Sequence, residues 1–336
     1  MENIDRIAQE LNDNGFAGPF DTGLPKSLVT NVANRVKEIT TKRDKHPLYG
    51  RYSVRDWHLV EDEFLTLFTA QNIIDILVPV LGENILLWRS KIFLKEPQEG
   101  DLGWHQEWGA FNGEEIGNDR PALIPQKSTP NHPWNYTVWV ALEDVTLDMG
   151  PIRFAKGSNK KRYPIEMQKL TDSEFYVDPF LNVESKEQLI RMVQQNSLVL
   201  DIDTSGYLLD LDTEAMDFEQ LKHIIVNKLD NEVGAVTLEF SPDNYEIVSM
   251  PMKAGQFVVF TERCMHGSSM NASSHQRIGI NARYTCSSTQ VYPYLNSDNP
   301  VDGSNIDITQ HKSVLVNGKS LCDANVLAAV EELADS

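Results

Sequence analysis

Six consecutive residues, Gly103-Trp104-His105-Gln106-Glu107-Trp108, place an imidazole and a carboxylate two positions apart. In an extended strand side chains alternate between faces, so His105 and Glu107 point one way and Gln106 the other. Two such groups, joined by a histidine from elsewhere in the chain, make the 2-His-1-carboxylate arrangement that holds ferrous iron and leaves positions open for a co-substrate and O2. His-x-Glu alone is weak, because it often arises by chance. The candidate third ligand is His266, in Cys264-Met265-His266-Gly267-Ser268, six residues beyond Phe260 at the end of an apolar strand pattern. Eleven residues further on, Arg277 opens the mostly apolar run RIGINARY. A guanidinium there needs an anionic partner, since burying it unpaired is costly. The distal carboxylate of 2-oxoglutarate fits, because arginine offers it two parallel donors. A structural ion pair with one of the 49 acidic residues fits Arg277 as well.

These residues need a scaffold, and composition bounds it. The chain has 336 residues, with 30 Lys+Arg against 49 Asp+Glu and a formal net charge of −19. That length suits one large domain or two small ones, and 41% hydrophobic residues suffice for a buried core. So acidic a chain is repelled by phosphate backbones and anionic lipid, which argues against nucleic-acid and membrane-surface partners. Apolar runs such as Ile73–Leu81 fall far short of the roughly 20 residues that span a bilayer. The polar, acidic start lacks the pattern of a secretory signal. Three cysteines, Cys264, Cys286 and Cys322, form no Cys-x-x-Cys pair, so neither a disulfide framework nor a thiolate zinc site is expected. The expected location is cytoplasmic.

Residues 1–83 read as mainly helical, with helical patterns ending at Leu11, over Pro25–Thr41 and within Glu61–Leu81. From Asn84 the texture changes to short β-branched and aromatic runs between Gly, Pro and Asn clusters. These are Ile85–Leu94, Asn135–Leu142, Ile152–Ala155, Ala235–Phe240, Gln256–Thr261 and Arg277–Cys286. Short strands without regular helix alternation indicate a β-sandwich or barrel. The expected organisation is one domain over 1–336, with its β core in 84–162 and 249–293. Residues 163–248 form an acidic insertion with a helix around Phe218–Leu229, either a surface excursion or a lid. A C-terminal segment, 294–336, ends in an expected helix over Asp323–Leu333.

The blocks around Trp104-His105-Gln106-Glu107, Val138-Trp139-Val140-Ala141-Leu142-Glu143-Asp144, Met149-Gly150-Pro151-Ile152, Gly157-Ser158, and Gly255-Gln256-Phe257 through His266 to Arg277 resemble the phytanoyl-CoA dioxygenase superfamily of iron and 2-oxoglutarate oxygenases. Within it, Leu87-Trp88-Arg89-Ser90-Lys91-Ile92-Phe93, Pro251 to Phe257 and Arg283-Tyr284 look like the syringomycin-type aliphatic halogenases. The resemblance covers roughly 81–293, the insertion matching poorly. It implies a mainly β fold with flanking helices, built on a double-stranded β-helix (cupin-like jelly roll). It also implies His105 and His266 as iron ligands, Arg277 as the 2-oxoglutarate anchor, and Trp139 and Thr137 beside that co-substrate. Alternation agrees in putting Thr137, Trp139 and Ala141 on one strand face. Core packing is the lesser alternative for Trp139.

Two departures from the halogenase pattern matter. Those enzymes carry Ala or Gly where this chain has Glu107, and a carboxylate there excludes halide. Lys91 replaces an acidic residue and shares a strand face with Arg89, so that these two, with Arg283, lean towards a carboxylate-bearing substrate or, equally, line a solvent-facing edge. The function expected is iron(II)- and 2-oxoglutarate-dependent oxidation of an unactivated C–H bond by O2, releasing succinate and CO2. The expected substrate is an amino acid or amino-acid-derived specialised metabolite. Hydroxylation, desaturation and oxidative cyclisation, as in kainoid-forming enzymes, would use the same residues. Halogenation and a non-catalytic cupin-like binding role are the alternatives. An acidic carrier protein is a disfavoured partner, since like charges reduce association.

Overall fold

The computed structural model describes residues 2–109, 121–125, 132–172, 178–180, 183–195, 198–199, 202, 204–298, 300, 302 and 307–328. Helices come first, where apolar residues recur at helical spacing: α1 (Glu2–Asn14), then strand β1 (Phe16–Asp21), α2 (Lys26–Lys42), α3 (Asp62–Phe68) and α4 (Gln71–Leu81). The β-branched and aromatic runs then form β2 (Ile85–Lys95), β3 (Leu102–His105), β4 (Leu123–Ile124), β5 (Asn135–Ala141) and β6 (Ile152–Ala155). Next come β7 (Ile165–Lys169), α5 (Lys186–Gln194), α6 (Phe218–Leu229) and β8 (Val233–Thr237). The chain continues through β9 (Ile247–Ser249), β10 (Gln256–Thr261), β11 (His266–Ser268), β12 (Arg277–Cys286), β13 (Gln290–Val291) and β14 (Val314–Asn317).

Two antiparallel sheets make the jelly-roll core: a six-stranded sheet ordered β1-β10-β5-β12-β2-β14 and a four-stranded sheet ordered β3-β11-β6-β9. Strand alternation divides β5 between two cores. Val138 and Val140 pack with Phe257, Ile280, Val32, Phe64, Leu67 and Leu77 against the helical layer. Trp139 and Ala141 turn inward to meet Phe154, Ile152, Val258 and Phe260 between the sheets. Each such large apolar side chain contributes about 1.5–3 kcal/mol on burial. The outer edge of β2 is shielded twice, by β14 along its first residues and further on by Val54–Asp56, where Ile92 N donates to Val54 O (2.8 Å) and Asp56 N to Ser90 O (3.1 Å).

Residues 163–248 hold the antiparallel β7–β8 pair and, between its strands, helices α5 and α6, with an apolar core that includes Leu189, Val193, Leu221, Ile225 and Leu229. α6 begins at a capping box made by Asp217 and Gln220, which satisfies donors at its first turn.

Three expectations are corrected. The pattern over Glu61–Leu81 is two helices, α3 and α4, bent by 52° across Thr69 and Ala70. The strand expected over Ala235–Phe240 is β8, which ends at Thr237 and pairs with β7 outside the jelly roll. The helix expected over Asp323–Leu333 does not form in its described part: Ser313 N donates to Val326 O and Ala328 N to Ser313 O, and Leu327 bridges Ser313. The side chain of Asn325 also bonds Val291 N and Thr289 O, each at 2.8 Å, so tertiary pairing outcompetes helical propensity. Residues 329–333 lie outside the described residues. Among the described residues no single helix is long and apolar enough to cross a membrane.

Candidate functional site

The pairing of β3 with β11 sets His266 directly opposite His105, and their rings stand 4.2 Å apart, centroid to centroid, inclined at 49°. This approach requires Gly267, because a Cβ there would lie 2.6 Å from the Leu102 carbonyl oxygen. His105 Nδ1 is 3.0 Å from Gly103 O, and His266 Nδ1 is 2.9 Å from Cys264 O. A carbonyl can only accept, so each Nδ1 carries the proton and each lone pair sits on Nε2, the tautomer in which such a ring ligates a metal. Burial holds both imidazoles below their ordinary pKa, with His105 pushing His266 further down.

Glu107 lies beyond the end of β3. Its position is fixed by its own N donating to Glu262 O at 2.8 Å, while Gln106 turns the other way to donate to Arg263 O (2.7 Å) and accept from Tyr163 N (2.8 Å). The buried Glu107 carboxylate uses Oε1 to accept from Arg283; Oε2 has no hydrogen-bond partner among the described residues. With the carboxylate drawn towards Arg283, no three His, Cys, Asp or Glu side chains among the described residues form a closed metal-holding group.

Arg277 is 5% exposed, donates to Gly150 O at 2.7 Å and has its guanidinium carbon 5.4 Å from the Trp139 ring centroid. It forms no ion pair among the described residues, and burial pushes it down to about 10. The structural ion pair that the sequence left open is therefore not the arrangement observed. A buried cation facing a cavity, with Glu99 acting on it only from beyond ion-pair distance, is a place for an anionic ligand.

One cavity collects these groups, with polar walls from His105, Glu107, His266, Arg277, Asn281 and Arg283 and apolar ones from Phe93, Leu102, Ile152 and Phe260, with Trp139 also lining it. Cross-strand register explains the convergence. Across β5, β12 and β2 the inward rows read Ala141–Gly279–Phe93, Trp139–Asn281–Lys91 and Thr137–Arg283–Arg89.

Three residues singled out in the sequence do not line the cavity. Thr137 is buried beside Arg283 and Phe260, its hydroxyl without a partner among the described residues. Lys91 is half-buried, its Nζ 5.6 Å from the Phe93 ring centroid. Arg89 is re-aimed by the bulge at Trp88, donating to Tyr292 and to Asp302, which also pairs with Arg55.

The sequence reading missed Lys95, Ser268, Asn281 and Gly279. Lys95 is the register partner of Arg277; its Nζ donates to Ser268 Oγ (2.9 Å) and Ser269 O (2.6 Å), and burial, reinforced by Arg277, pushes it down to about 8. Strand alternation was the available signal, since Lys95 shares a face with Lys91 and Phe93. Gly279 admits the Trp139 indole, which would stand 2.1 Å from a Cβ at that position. No pattern local to the sequence foretells that contact.

Comparison with known proteins agrees with this geometry. A probable alpha-ketoglutarate-dependent hypophosphite dioxygenase of Stutzerimonas stutzeri is 40% identical over 58 residues, 17% of this chain and only 20% of that relative's length. Among solved structures, CytC3 with Fe(II) and alpha-ketoglutarate superposes with a TM-score of 0.61 at 19% identity, covering 96% of this chain and 92% of that one. The epimerase SnoN from a complex with Fe3+, alpha ketoglutarate and nogalamycin RO gives 0.54 at 15% identity, over 97% and 98%. EctD from S. alaskensis with bound Fe gives 0.52 at 13%, over 85% and 78%. These likenesses establish the shared fold. The family model for phytanoyl-CoA dioxygenase (PhyH) matches residues 11–279, and the chain therefore belongs to that family of iron(II)- and 2-oxoglutarate-dependent dioxygenases.

Proposed function

We propose that this protein oxidises an unactivated C–H bond of a small, anionic molecule, an amino acid or an amino-acid-derived metabolite, with His105, His266 and Glu107 as its metal ligands and Arg277 as its co-substrate anchor. The observation that carries this reading is the cross-strand His105–His266 pair facing the same cavity as Glu107 and an Arg277 that forms no ion pair among the described residues. Two Nε2 lone pairs and one unpartnered carboxylate oxygen suit ferrous iron. Iron(II) with 2-oxoglutarate and O2 supplies the oxidising power, and succinate and CO2 leave.

The protein's own part is placement. Arg277 receives the distal carboxylate, Trp139 covers that guanidinium, and Lys95 holds Ser268 beside it. Phe93, Leu102, Ile152 and Phe260 exclude water, so that one C–H bond is held dry and near the metal position. Lys91, on the Asn281 row beside the cavity, brings positive charge near the opposite end, which favours a substrate with an anionic group; the match to a dioxygenase named for hypophosphite, itself an oxyanion, agrees. Glu107 fills the position that a halide would need, against halogenation. Phe240 of the insertion packs 5.5 Å from Trp104, whose side chain alternates to the face of β3 opposite His105, and this favours a surface excursion over a lid.

Anaerobic addition of ferrous iron and 2-oxoglutarate tests the central reading through the visible charge-transfer band of the chelate. Wild type shows it, and His105→Ala and His266→Ala do not. A screen of amino acids and related acids for substrate-stimulated succinate release then identifies the substrate. A band that survives both histidine substitutions would refute the ligand set.

A further inference from the structure

Glu107 has two oxygens with different fates. Oε1 accepts from Arg283 in an ion pair whose side chains are 13% and 11% exposed, while Oε2 is buried with no partner among the described residues. Arg283 is itself held in place from both sides. Its register neighbours are Thr137 on β5 and Arg89 on β2, and Arg89 is locked by Asp302, Tyr292 and the Trp88 ring. The guanidinium thus reaches Glu107 from a rigid strand, whereas Glu107 sits past the end of β3 with its backbone alone anchored.

We propose that Arg283 is a positioning residue that fixes Glu107 to bind metal through Oε2 alone, rather than a contact for the substrate. This rests on the ligand set proposed above. A glutamate has one more rotatable bond than an aspartate and reaches its position from an irregular segment, so its carboxylate needs an external clamp to present a single oxygen. Groups that orient a metal ligand typically change metal affinity by about 10–100-fold when removed. Arginine and metal repel across the shared carboxylate, but the two negative charges of 2-oxoglutarate offset that repulsion once the co-substrate is present.

The test is anaerobic titration of the full-length protein with cobalt(II), and separately iron(II), in the presence of 2-oxoglutarate, for wild type, Arg283→Gln, Arg283→Lys and His105→Ala. Cobalt ligand-field absorption reports coordination directly, and circular dichroism checks the fold. Arg283→Gln should weaken metal binding about tenfold or more and alter the cobalt spectrum, while Arg283→Lys, which keeps the charge, should recover much of both. If Arg283→Gln misfolds, Arg283→Met decides: weakened binding with an altered cobalt spectrum supports the clamp, and wild-type affinity and spectrum overturn it. Arg283→Gln that is folded and binds with wild-type affinity and spectrum also overturns it. Metal binding that His105→Ala leaves intact would instead sink the underlying ligand set.

Discussion

Gly279→Ala adds one methyl group at the most crowded point of the site. The new Cβ would stand 2.1 Å from Cζ2 and 2.5 Å from Cη2 of Trp139. Carbon atoms settle at roughly 3.5–4.0 Å, so the indole must withdraw by more than about 1 Å into a region already filled. Trp139 is 3% exposed and shares its cluster with Ala141, Phe154 and Phe260, so the displaced ring moves against packed neighbours. Overpacking of this kind costs about 1–3 kcal/mol. The same displacement pulls the ring off Arg277, now 5.4 Å from its centroid. A desolvated cation–π contact is worth up to about 2 kcal/mol, and losing most of it weakens 2-oxoglutarate binding about tenfold. Urea denaturation measures the first effect, and calorimetric titration of the metal-loaded protein with 2-oxoglutarate the second. Trp139→Phe in the Gly279→Ala background removes the colliding ring edge, so the two substitutions should couple by at least about 1 kcal/mol. Gly279→Ala with stability within about 0.5 kcal/mol of wild type and unchanged 2-oxoglutarate affinity would refute both the packing and its link to Arg277.

Asp302→Asn strips the carboxylate shared by the buried Arg55 and Arg89, and urea denaturation should show a loss of about 3–5 kcal/mol; a loss under about 1 kcal/mol would show that Tyr292 and Asp56 suffice. Burial holds His46, His58 and His311 at about 4, below their unfolded value near 6.5. These rings fold neutral, so their contribution is complete above pH 6.5 and is lost as pH falls from there to about 4, where unfolded chains bind protons that the folded protein refuses. Stability should fall by about 1.4 kcal/mol per pH unit for each ring within that window, and His311→Gln should flatten the slope by one proton. An identical slope would place that ring's titration elsewhere. Lys95→Met removes the amine that holds Ser268 and should raise the 2-oxoglutarate dissociation constant several-fold with little effect on metal binding; equal weakening of both would mean that the lysine supports the strand rather than the co-substrate.

The residue types at 105, 107, 266 and 277 point together to the proposed chemistry, although neither His-x-Glu nor Arg277 does so alone. Alternation along Thr137, Trp139 and Ala141 also fixed which side chains share a face, since period two is a local property of an extended chain. Register is not local. Whether His105 meets His266, whether Arg277 finds an acid or a cavity, and whether Arg89 points at the metal position or at Asp302 depend on how distant strands are paired and where a bulge falls. Lys95, Gly279 and the Glu107–Arg283 pair escaped notice for the same reason: each acquires its meaning from a neighbour far along the chain. The C-terminal segment shows the limit most plainly. Its composition favoured a helix, yet hydrogen bonds from Ser313 and Asn325 drew it into the β layer, because tertiary partners satisfy its backbone without one.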